Sequence, residues 1–371
     1  MLFYQRQLSP TSRLTWTCGG ALFAPLRIRP RLLKPARMSL EKGVDAVGNQ
    51  IIAVDLGGTQ IRTARYDLDL NLLQRENTLT QAKLGAQPTI ERMKAYIRKV
   101  MPAGRDDILG IGISSPGPLN PFTGVIIAPP NLHGWLDVPL RDIMEAEFNL
   151  PVHIGNDANV AALAEASKGA AQGCRHVVYI TVSTGIGAGI ICDGKLLLGR
   201  EGLAAEFGHI PIVLENGTIS SVELEAAGPA IARRVKRAIQ NGAKSKVRDI
   251  INGDLNGIDA KAVGIAAADG DQLAIDQLAY AGRIIGLGIV SILHLFNPEV
   301  IIVGGGVTKT GELLFAPMRD TAQKHVLDDS YTANLRIEQS ALGDDVALVG
   351  AAALVATDGG NLDISELDQR F

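Results

Sequence analysis

The stretches that decide the fold of this 371-residue chain are IIAVDLGGTQIR (51–62), VVYITVSTGIGAG (177–189) and EVIIVGGGV (299–307). In each, a run of β-branched and aliphatic residues, typical of a buried strand, leads directly into a glycine-rich turn. Glycine lacks a Cβ atom, so the backbone of such a turn can approach a ligand closely. Three such turns in a chain of mixed α/β character predict that a phosphate tail and a nucleoside are held from several sides. A nucleotide-dependent enzyme is the leading interpretation.

The composition is that of an ordinary soluble globular protein. Hydrophobic residues make up 46% and charged residues 20%, and a length of 371 residues favours about two domains. The segment 284–296 is the longest candidate for a membrane helix, but it carries His294 and is short enough to be a buried helix. The cysteines, Cys18, Cys174 and Cys192, form no CxxC pair. This pattern fits a reducing, cytoplasmic location without a membrane span and argues against a cysteine-built zinc site.

The first 48 residues differ in charge from the rest of the chain. Residues 1–42 hold eight Lys or Arg and one acid, which leaves 28 basic and 38 acidic residues, a charge of −10, for the remainder. An acidic body argues against nucleic-acid binding by the main fold. Four prolines break any long helix in this stretch, so residues 1–48 are predicted to be a basic tail. We expect the tail to be disordered, to be an extension upstream of a start at Met38, or to be an Arg-rich targeting segment.

Hydrophobic periodicity predicts two similar halves. Strand–turn–strand hairpins are predicted at 51–66 and 177–198, each followed by helices, which would place the first two glycine turns opposite one another across a cleft. The loop 116–135 is too long for a simple connector and is predicted to be functional. Helices are predicted at 88–101, 140–148, 158–169, 228–240, 272–296 and 347–356, and further strands at 108–116 and 152–157.

The first glycine turn offers groups suited to a nucleotide. Asp55 ends the strand, Gly57 and Gly58 open the turn, and Thr59 adds a hydroxyl. A carboxylate at that point can hold Mg²⁺, directly or through water, while backbone N–H groups face phosphate oxygens. A simple hairpin turn would use the same residue types.

The other two turns allow more than one interpretation. STGIGAG (183–189) imitates a dinucleotide fingerprint, but a strand follows it where that fingerprint needs a helix. Phosphate contact by Thr184 and Gly185 therefore fits better. The three glycines at 304–306 would let a flat base or a ribose lie against the backbone, or they form only a tight connection between a strand and a helix.

Polar side chains cluster at IGND (154–157) and EFGH (206–209). Asp157 stands at a predicted helix start, where Asp usually serves as an N-cap. Alternatively, Asn156 orients a ligand hydroxyl and Asp157 takes its proton. Together the two clusters supply Asn, Asp, Glu and His, which suit a polyhydroxylated ligand.

The chain resembles the ROK-family sugar kinases, of the actin-like ATPase class, in five ordered segments: DLGGTQIR, GISSPGPLNPFTGVIIAPPNLHGWLDVPL, GNDANVAALAE, TVSTGIGAGIICDGKLLLGREGLAAEFGHIPI and VELEAAGPAIARR. The resemblance covers roughly residues 50–357. It implies a two-lobed α/β fold of the actin-like (ribonuclease H-like) type, with an interlobe cleft between a smaller lobe (49–163 plus 347–371) and a larger lobe (164–346). It also implies ATP with Mg²⁺ as phosphoryl donor, a hexose as acceptor, and a homodimer.

The resemblance assigns roles by position. Asp157 matches the general base of the family, and Asp55 matches a contact to the metal. The expected sugar contacts are Asn131, Asn156, Glu206, His209 and Glu223, with Glu225 as the alternative to Glu223. The expected contacts to phosphate and adenosine are Gly57, Gly58, Thr59, Thr184, Gly185, Gly304, Gly305 and Gly306.

One departure from the family pattern concerns zinc. Many relatives carry a CxCGxxGC zinc loop between the His and the last Glu, whereas VLENGTISS (213–221) has no cysteine. Zinc is therefore not expected, and ordinary packing must hold His209 and Glu223 in place.

The expected reaction is ATP-dependent phosphorylation of a hexose, with the 6-hydroxyl of glucose favoured. A sugar-responsive regulator of the same family is the first rival, but residues 1–48 lack two consecutive amphipathic helices. A sugar-binding protein without catalysis is the second, and the complete DLGGT and GND segments argue against it.

Overall fold

A computed structural model describes residues 50–104, 107–364 and 367, and the predicted tail of residues 1–48 lies outside the described residues. The strands are β1 (Gln50–Leu56), β2 (Gln60–Asp67), β3 (Leu72–Leu79), β4 (Ile108–Ser115), β5 (Leu119–Asn120), β6 (Val125–Ile126), β7 (Val138–Pro139), β8 (Val152–Asn156), β9 (Val177–Val182), β10 (Ile186–Cys192), β11 (Lys195–Leu196), β12 (Pro211–Val213), β13 (Ile219–Ser221), β14 (Val300–Gly304) and β15 (Arg336–Gln339). The α-helices are α1 (Ala86–Val100), α2 (Leu140–Phe148), α3 (Asp157–Lys168), α4 (Val222–Ala226), α5 (Gly228–Gln240), α6 (Val247–Ile250), α7 (Ala260–Ala268), α8 (Gln272–Phe296), α9 (Glu312–His325) and α10 (Val346–Ala356). All six predicted helices are present, with ends within two residues of the prediction.

Two five-stranded sheets have the same plan. The N-terminal sheet has the order β3-β2-β1-β4-β8 and the C-terminal sheet the order β11-β10-β9-β14-β15. In each, three antiparallel strands continue into two strands that run parallel to the third. The predicted internal similarity of the two halves is therefore confirmed at the level of strand order. The residue limits predicted for the two lobes stay a prediction.

Alternating side chains divide the core into layers. Ile51 and Ala53 of β1 point toward the helices between the sheets, whereas Ile52 and Val54 join a second cluster with α1 and α2. The C-terminal sheet alternates in the same way, and its outer face packs on α4 to α9. Each sheet is therefore covered on both faces, which explains why its central strands are almost continuously hydrophobic.

Helices α3 and α10 lie between the two sheets and pack against each other. Close packing there requires small residues. A Cβ atom at Gly112 would overlap the carbonyl group of Ala351, and one at Gly350 would overlap the carbonyl group of Val160. The first residue of α3 is Asp157, so this central layer fixes the position of the predicted base.

Helix α8 is long and apolar enough to cross a membrane by length and composition alone, and among the described residues it is the one such helix. Within the fold, 56% of its most apolar window is buried, and it packs on α4, α5, α7 and α9. A buried core helix can have the same length and apolar composition as a membrane span.

The long loop predicted at 116–135 contains structure of its own. Strands β5, β6 and β7 form a small antiparallel sheet, and Asn131 lies in the irregular segment between β6 and β7. Leu132 and Trp135 are buried on either side of the exposed residue His133. These two anchors hold the tip of the loop in a defined place.

Candidate active site

The parallel strands of the N-terminal sheet bring two carboxylates to one edge. Asp55 of β1 pairs with Ser114 of β4, and the neighbouring Ser115 pairs with Asn156 of β8. Adjacent strands lie about 4.8 Å apart, so Asp55 and Asp157, which are two strands apart, are separated by roughly 10 Å. The charge of Asp55 contributes to raising the pKa of Asp157, as expected at this separation.

Helix α3 is capped by Asn156 and not by Asp157. Asn156 has an extended backbone (φ −74°, ψ 157°), and its Oδ1 accepts a hydrogen bond from the N–H of Asn159 at 2.8 Å. The alternative in which Asp157 is the N-cap is therefore wrong, because the cap oxygen comes from the preceding residue. The cap uses the amide oxygen of Asn156 and leaves its NH₂ as the group that could donate to a ligand hydroxyl.

Asp157 is exposed to solvent and yet closely surrounded by protein atoms. Burial is the main cause that raises its pKa from 3.8 to about 6; the charge of Asp55 adds to the rise, and a hydrogen bond from its own backbone opposes it. Both observations hold if the carboxylate lies on the floor of an open cleft, where water reaches it but protein displaces much of the surrounding solvent. A carboxylate with a pKa near 6 is ionised at neutral pH and still basic enough to take a proton.

Asp55 forms an ion pair with Arg62 across the β1–β2 hairpin, with N–O distances of 2.7 and 2.8 Å. Burial raises the pKa of Asp55, and the guanidinium opposes this shift. The following turn touches the loop that carries Asn131, since a Cβ atom at Gly58 would lie 3.1 Å from the Asn131 carbonyl oxygen. The structure thus brings the predicted phosphate turn and the predicted sugar loop into contact.

Hydrogen bonds inside the first turn hold its shape. The N–H of Gly57 donates to the carbonyl of Gln60 at 2.9 Å, and the hydroxyl of Thr80 donates to the carbonyl of Gly57 at 2.6 Å. Thr59 is exposed at the tip. The side chain predicted to face phosphate is therefore accessible.

The second turn is tied to Glu223. Glu223 Oε2 accepts a hydrogen bond from the N–H of Ile186 at 2.7 Å, and a Cβ atom at Gly185 would lie 2.7 Å from the same oxygen. Thr184 at the tip is exposed. Further along β10, Gly187 approaches the Cβ atom of Ala158, so this turn lies near the start of α3.

Only one of the three glycines at 304–306 has open space around it. A Cβ atom at Gly304 would overlap the hydroxyl of Tyr179, and one at Gly305, whose φ is 93°, would overlap the carbonyl of Val182. Gly306 has nothing within 4 Å of the position of a Cβ atom. The first two glycines therefore make the tight connection that was the alternative interpretation, and Gly306 is the one open to a ligand.

The EFGH segment forms a short 3₁₀ helix, Phe207–His209, anchored by its phenylalanine. Phe207 is 1% exposed, whereas Glu206 and His209 are exposed, with His209 Nε2 4.0 Å from Glu206 Oε2. A Cβ atom at Gly208 would lie 3.2 Å from the Cβ atom of Glu223. The three predicted sugar contacts in this part of the chain are therefore neighbours.

A β-hairpin occupies the stretch between His209 and Glu223, where the sequence has no cysteine. Strands β12 and β13 pair with Pro211 opposite Ser221, and the N–H of Val222 donates to the carbonyl of Ile210 at 3.2 Å. These bonds connect the end of the 3₁₀ helix directly to the start of α4, which carries Glu223. Backbone pairing and the buried Phe207 thus fix the position of Glu223 relative to His209.

Glu225, the alternative to Glu223, is engaged elsewhere. Its carboxylate accepts hydrogen bonds from Ser220 Oγ at 2.8 Å and from the Tyr280 hydroxyl at 3.2 Å, and lies 3.7 Å from Arg234. These contacts connect α4 with α5 and α8. The structure places Glu223, and not Glu225, beside the second turn.

A cavity of about 630 Å³ opens beside the first turn. It is lined by Gly58, Thr59 and Asn131 together with Gln81, Lys83 and Leu84, which follow β3. Neither this segment nor Arg62 was predicted from the sequence, although DLGGTQIR contains Arg62. Hairpin alternation was the available signal for Arg62, because residues 55 and 62 face each other across a turn of this length.

The predicted contact between Asp55 and Mg²⁺ depends on how many ligands the protein itself supplies. Among the described residues, no group of three or more His, Cys, Asp or Glu side chains could hold an ion by itself. Mg²⁺ commonly keeps several waters and is bound through one or two carboxylates plus substrate phosphates. A single carboxylate beside the predicted phosphate turn fits that mode of binding.

A profile of the ROK family matches residues 51–358. The glucokinase of Thermotoga maritima is 31% identical over 311 residues, which cover 82% of this chain and 97% of that relative. The DNA-binding transcriptional dual regulator NagC of Escherichia coli is 30% identical over 320 residues, covering 82% of this chain and 74% of the regulator. Among solved structures, a ROK family glucokinase from Streptomyces griseus in complex with glucose and AMPPNP is 32% identical, with a TM-score of 0.68, and covers 82% of this chain and 98% of that one.

These matches confirm the predicted fold class, a two-lobed actin-like fold with a cleft. Both enzymes and transcriptional regulators occur among the relatives. The fold alone therefore does not decide between catalysis and regulation.

Proposed function

Because this chain belongs to the ROK family, we propose that it is an ATP-dependent sugar kinase that phosphorylates a hexose, with the 6-hydroxyl of glucose as its acceptor. The observation that carries the proposal is the state of Asp157. Its carboxylate is accessible from the cleft, is not used as a helix cap, and has a pKa raised to about 6. A regulator that only binds sugar has no need for a base of this strength.

In the proposed reaction, the hexose hydroxyl oxygen attacks the γ-phosphorus of ATP and the bond to the β–γ bridging oxygen breaks. ADP leaves, and the hydroxyl proton passes to the carboxylate of Asp157. General-base catalysis of this kind contributes about 10²- to 10⁴-fold in rate. Phosphoryl transfer otherwise depends on in-line positioning and on neutralising charge.

The remaining polar groups would orient the two substrates. Asn131, Asn156, Glu206, His209 and Glu223 would contact the sugar hydroxyls. The backbone at Gly57, Gly58 and Gly185 and the hydroxyls of Thr59 and Thr184 would contact the phosphates, and the open side of Gly306 would accept the adenosine. Mg²⁺, when bound near Asp55, would offset negative charge on the phosphates.

The test is a coupled assay of ADP release with glucose, mannose, fructose, N-acetylmannosamine and allose, for the wild type and Asp157→Ala. We expect sugar-dependent ADP release by the wild type, greatest with glucose. Asp157→Ala should lose about 10²- to 10⁴-fold in kcat while calorimetry still detects sugar binding. Absence of sugar-dependent turnover in the wild type would refute the kinase proposal, and nearly intact turnover in the variant would refute the role of Asp157.

A further inference from the structure

Arg62 connects the Asp55 carboxylate to a segment of chain that runs between the two sheets. Its Nε and Nη2 donate to Asp55 Oδ2 at 2.8 and 2.7 Å, and its Nη1 donates to the carbonyl oxygen of Asp344 at 2.6 Å. Asp344 belongs to residues 340–345, which link β15 of the C-terminal sheet to α10. We call residues 340–345 the crossover segment.

The other end of the crossover segment is held by helix α3. Glu165, which is completely buried, accepts hydrogen bonds at Oε1 from Ser340 Oγ at 2.5 Å and from the N–H groups of Ala341 and Leu342 at 3.1 and 3.2 Å. Helix α3 begins at Asp157. One short segment therefore contacts both Arg62, which bonds the Asp55 carboxylate, and the helix that carries the proposed base.

We infer that Arg62 is a positioning residue for Asp55 and that, through the crossover segment, it links the Asp55 side chain to helix α3, which begins at Asp157. The inference rests on the proposed function, in which those two carboxylates serve the same reaction. Both bonds from Arg62 go to Oδ2 of Asp55, so Oδ1 is the oxygen left for a metal ion or its water. A guanidinium can hold two acceptors in a fixed geometry, which a lysine ammonium at the end of a flexible stem does not reproduce.

The neighbouring strand provides a matched control. Arg75 of β3 also bonds the crossover segment, with Nη1 2.7 Å from Asp345 Oδ1, but it makes no hydrogen bond or ion pair to Asp55. Replacing Arg75 therefore loosens the same segment without removing the direct support of Asp55.

The first experiment needs neither metal nor substrate. Melting temperatures of the full chain are measured in EDTA for Arg62→Gln, Asp55→Asn and the double variant. Arg75→Gln is measured in two backgrounds, the wild type and Asp55→Asn. Arg62→Gln should lower the melting temperature of the wild type, because it leaves a largely buried carboxylate without its cation. In the Asp55→Asn background the same substitution should lower the melting temperature by less than half as much. Arg75 acts on Asp55 through its charge alone, so the cost of Arg75→Gln should differ much less between the two backgrounds than the cost of Arg62→Gln does. Equal costs for Arg62→Gln in both backgrounds would overturn the inference.

The second experiment separates positioning from general stability. Arg62→Gln should lower kcat by about 10- to 100-fold, the usual cost of losing a group that orients a metal ligand. The KM for the sugar should change little, and Arg62→Lys should regain thermal stability but not kcat. Arg75→Gln should lower kcat by less than about fivefold.

Equal kcat values for Arg62→Gln and Arg75→Gln would overturn the positioning role. If the wild type phosphorylates no sugar, the proposed function fails on its own. In that case the melting temperatures of the wild type, Arg62→Gln, Asp55→Asn and the double variant still show whether Arg62 holds Asp55.

Discussion

Replacing Asp157 with Asn should abolish most activity and at the same time make the folded protein more stable at neutral pH. On folding, the pKa of Asp157 rises from 3.8 to about 6, mainly because burial disfavours the charged form. For a fully buried group, a rise of about two pKa units would correspond to about 3 kcal/mol of stability lost at neutral pH. Asp157 is exposed, so screening by solvent reduces this value. The N-terminus of α3 also favours a negative charge by about 0.3–1 kcal/mol, and we expect a net gain of about 1 kcal/mol for the variant.

The gain should depend on pH in a definite direction. A carboxyl group with a raised pKa in the folded state holds its proton more tightly there than in the unfolded chain. The wild type therefore loses stability as the pH rises from about 4 to about 6, and the loss is complete above about pH 7. Asparagine does not titrate, so the advantage of Asp157→Asn should be absent below about pH 4, about half developed at pH 5 and full at pH 8.

Urea denaturation followed by circular dichroism at pH 5 and pH 8 measures both quantities. Asp259→Ala and Asp157→Ala form a control pair, since both remove an Asp at a helix start. The Asp259 carboxylate caps α7 by accepting the N–H of Ala262 at 2.7 Å, so Asp259→Ala should lose about 1 kcal/mol. Asp157→Ala should not lose this stability, because Asp157 does not cap its helix. A variant of Asp157 that is less stable than the wild type at pH 8, or a gain equal at both pH values, would refute the reasoning about the cleft floor.

Three further outcomes are expected. The kcat/KM for the sugar should fall about tenfold per pH unit below pH 6, because the protonated form of Asp157 cannot accept the hydroxyl proton; a flat pH–rate profile would contradict this. Glu223→Gln should raise the sugar KM by about 10- to 100-fold, the value of a hydrogen bond to a charged group, whereas Glu225→Gln should lower the melting temperature and leave the sugar KM nearly unchanged. Steady-state kinetics and thermal denaturation of both variants separate these roles. Gly304→Ala should cost about 1–3 kcal/mol through overpacking, whereas Gly306→Ala should melt like the wild type and raise the KM for ATP. Equal melting temperatures for the two glycine variants would show that the third turn is packed differently.

Helices α7 and α9 were not predicted from the sequence, and the local sequence of each explains why. Helix α9 carries Pro317 inside, a residue that usually ends or kinks a helix. Helix α7 is rich in alanine and has almost no polar face, so its periodicity is weak. Both helices are packed against the long helix α8. Tertiary packing therefore stabilises segments whose local pattern is ambiguous.

The candidate site was predicted in part. Motif positions identified Asp55, Asp157 and Glu223, and the structure places them at the ends of strands or the starts of helices beside the glycine turns. Arg62 was missed because its pairing with Asp55 follows from the alternation and register of the whole hairpin and not from the motif residues alone. The segment after β3 that carries Lys83 was missed for a similar reason, since it meets the loop of Asn131 only through folding.

The sequence by itself determined the strands that lead into the glycine turns, the main helices and the order of the motifs, because these depend on residues that are close along the chain. Only the tertiary structure decided that Asn156 supplies the helix cap and that Gly306 is the glycine with open space around it. It also decided that the pKa of Asp157 rises to about 6. These properties depend on the protein atoms that surround a group in space, and those atoms come from strands and helices far apart in the sequence.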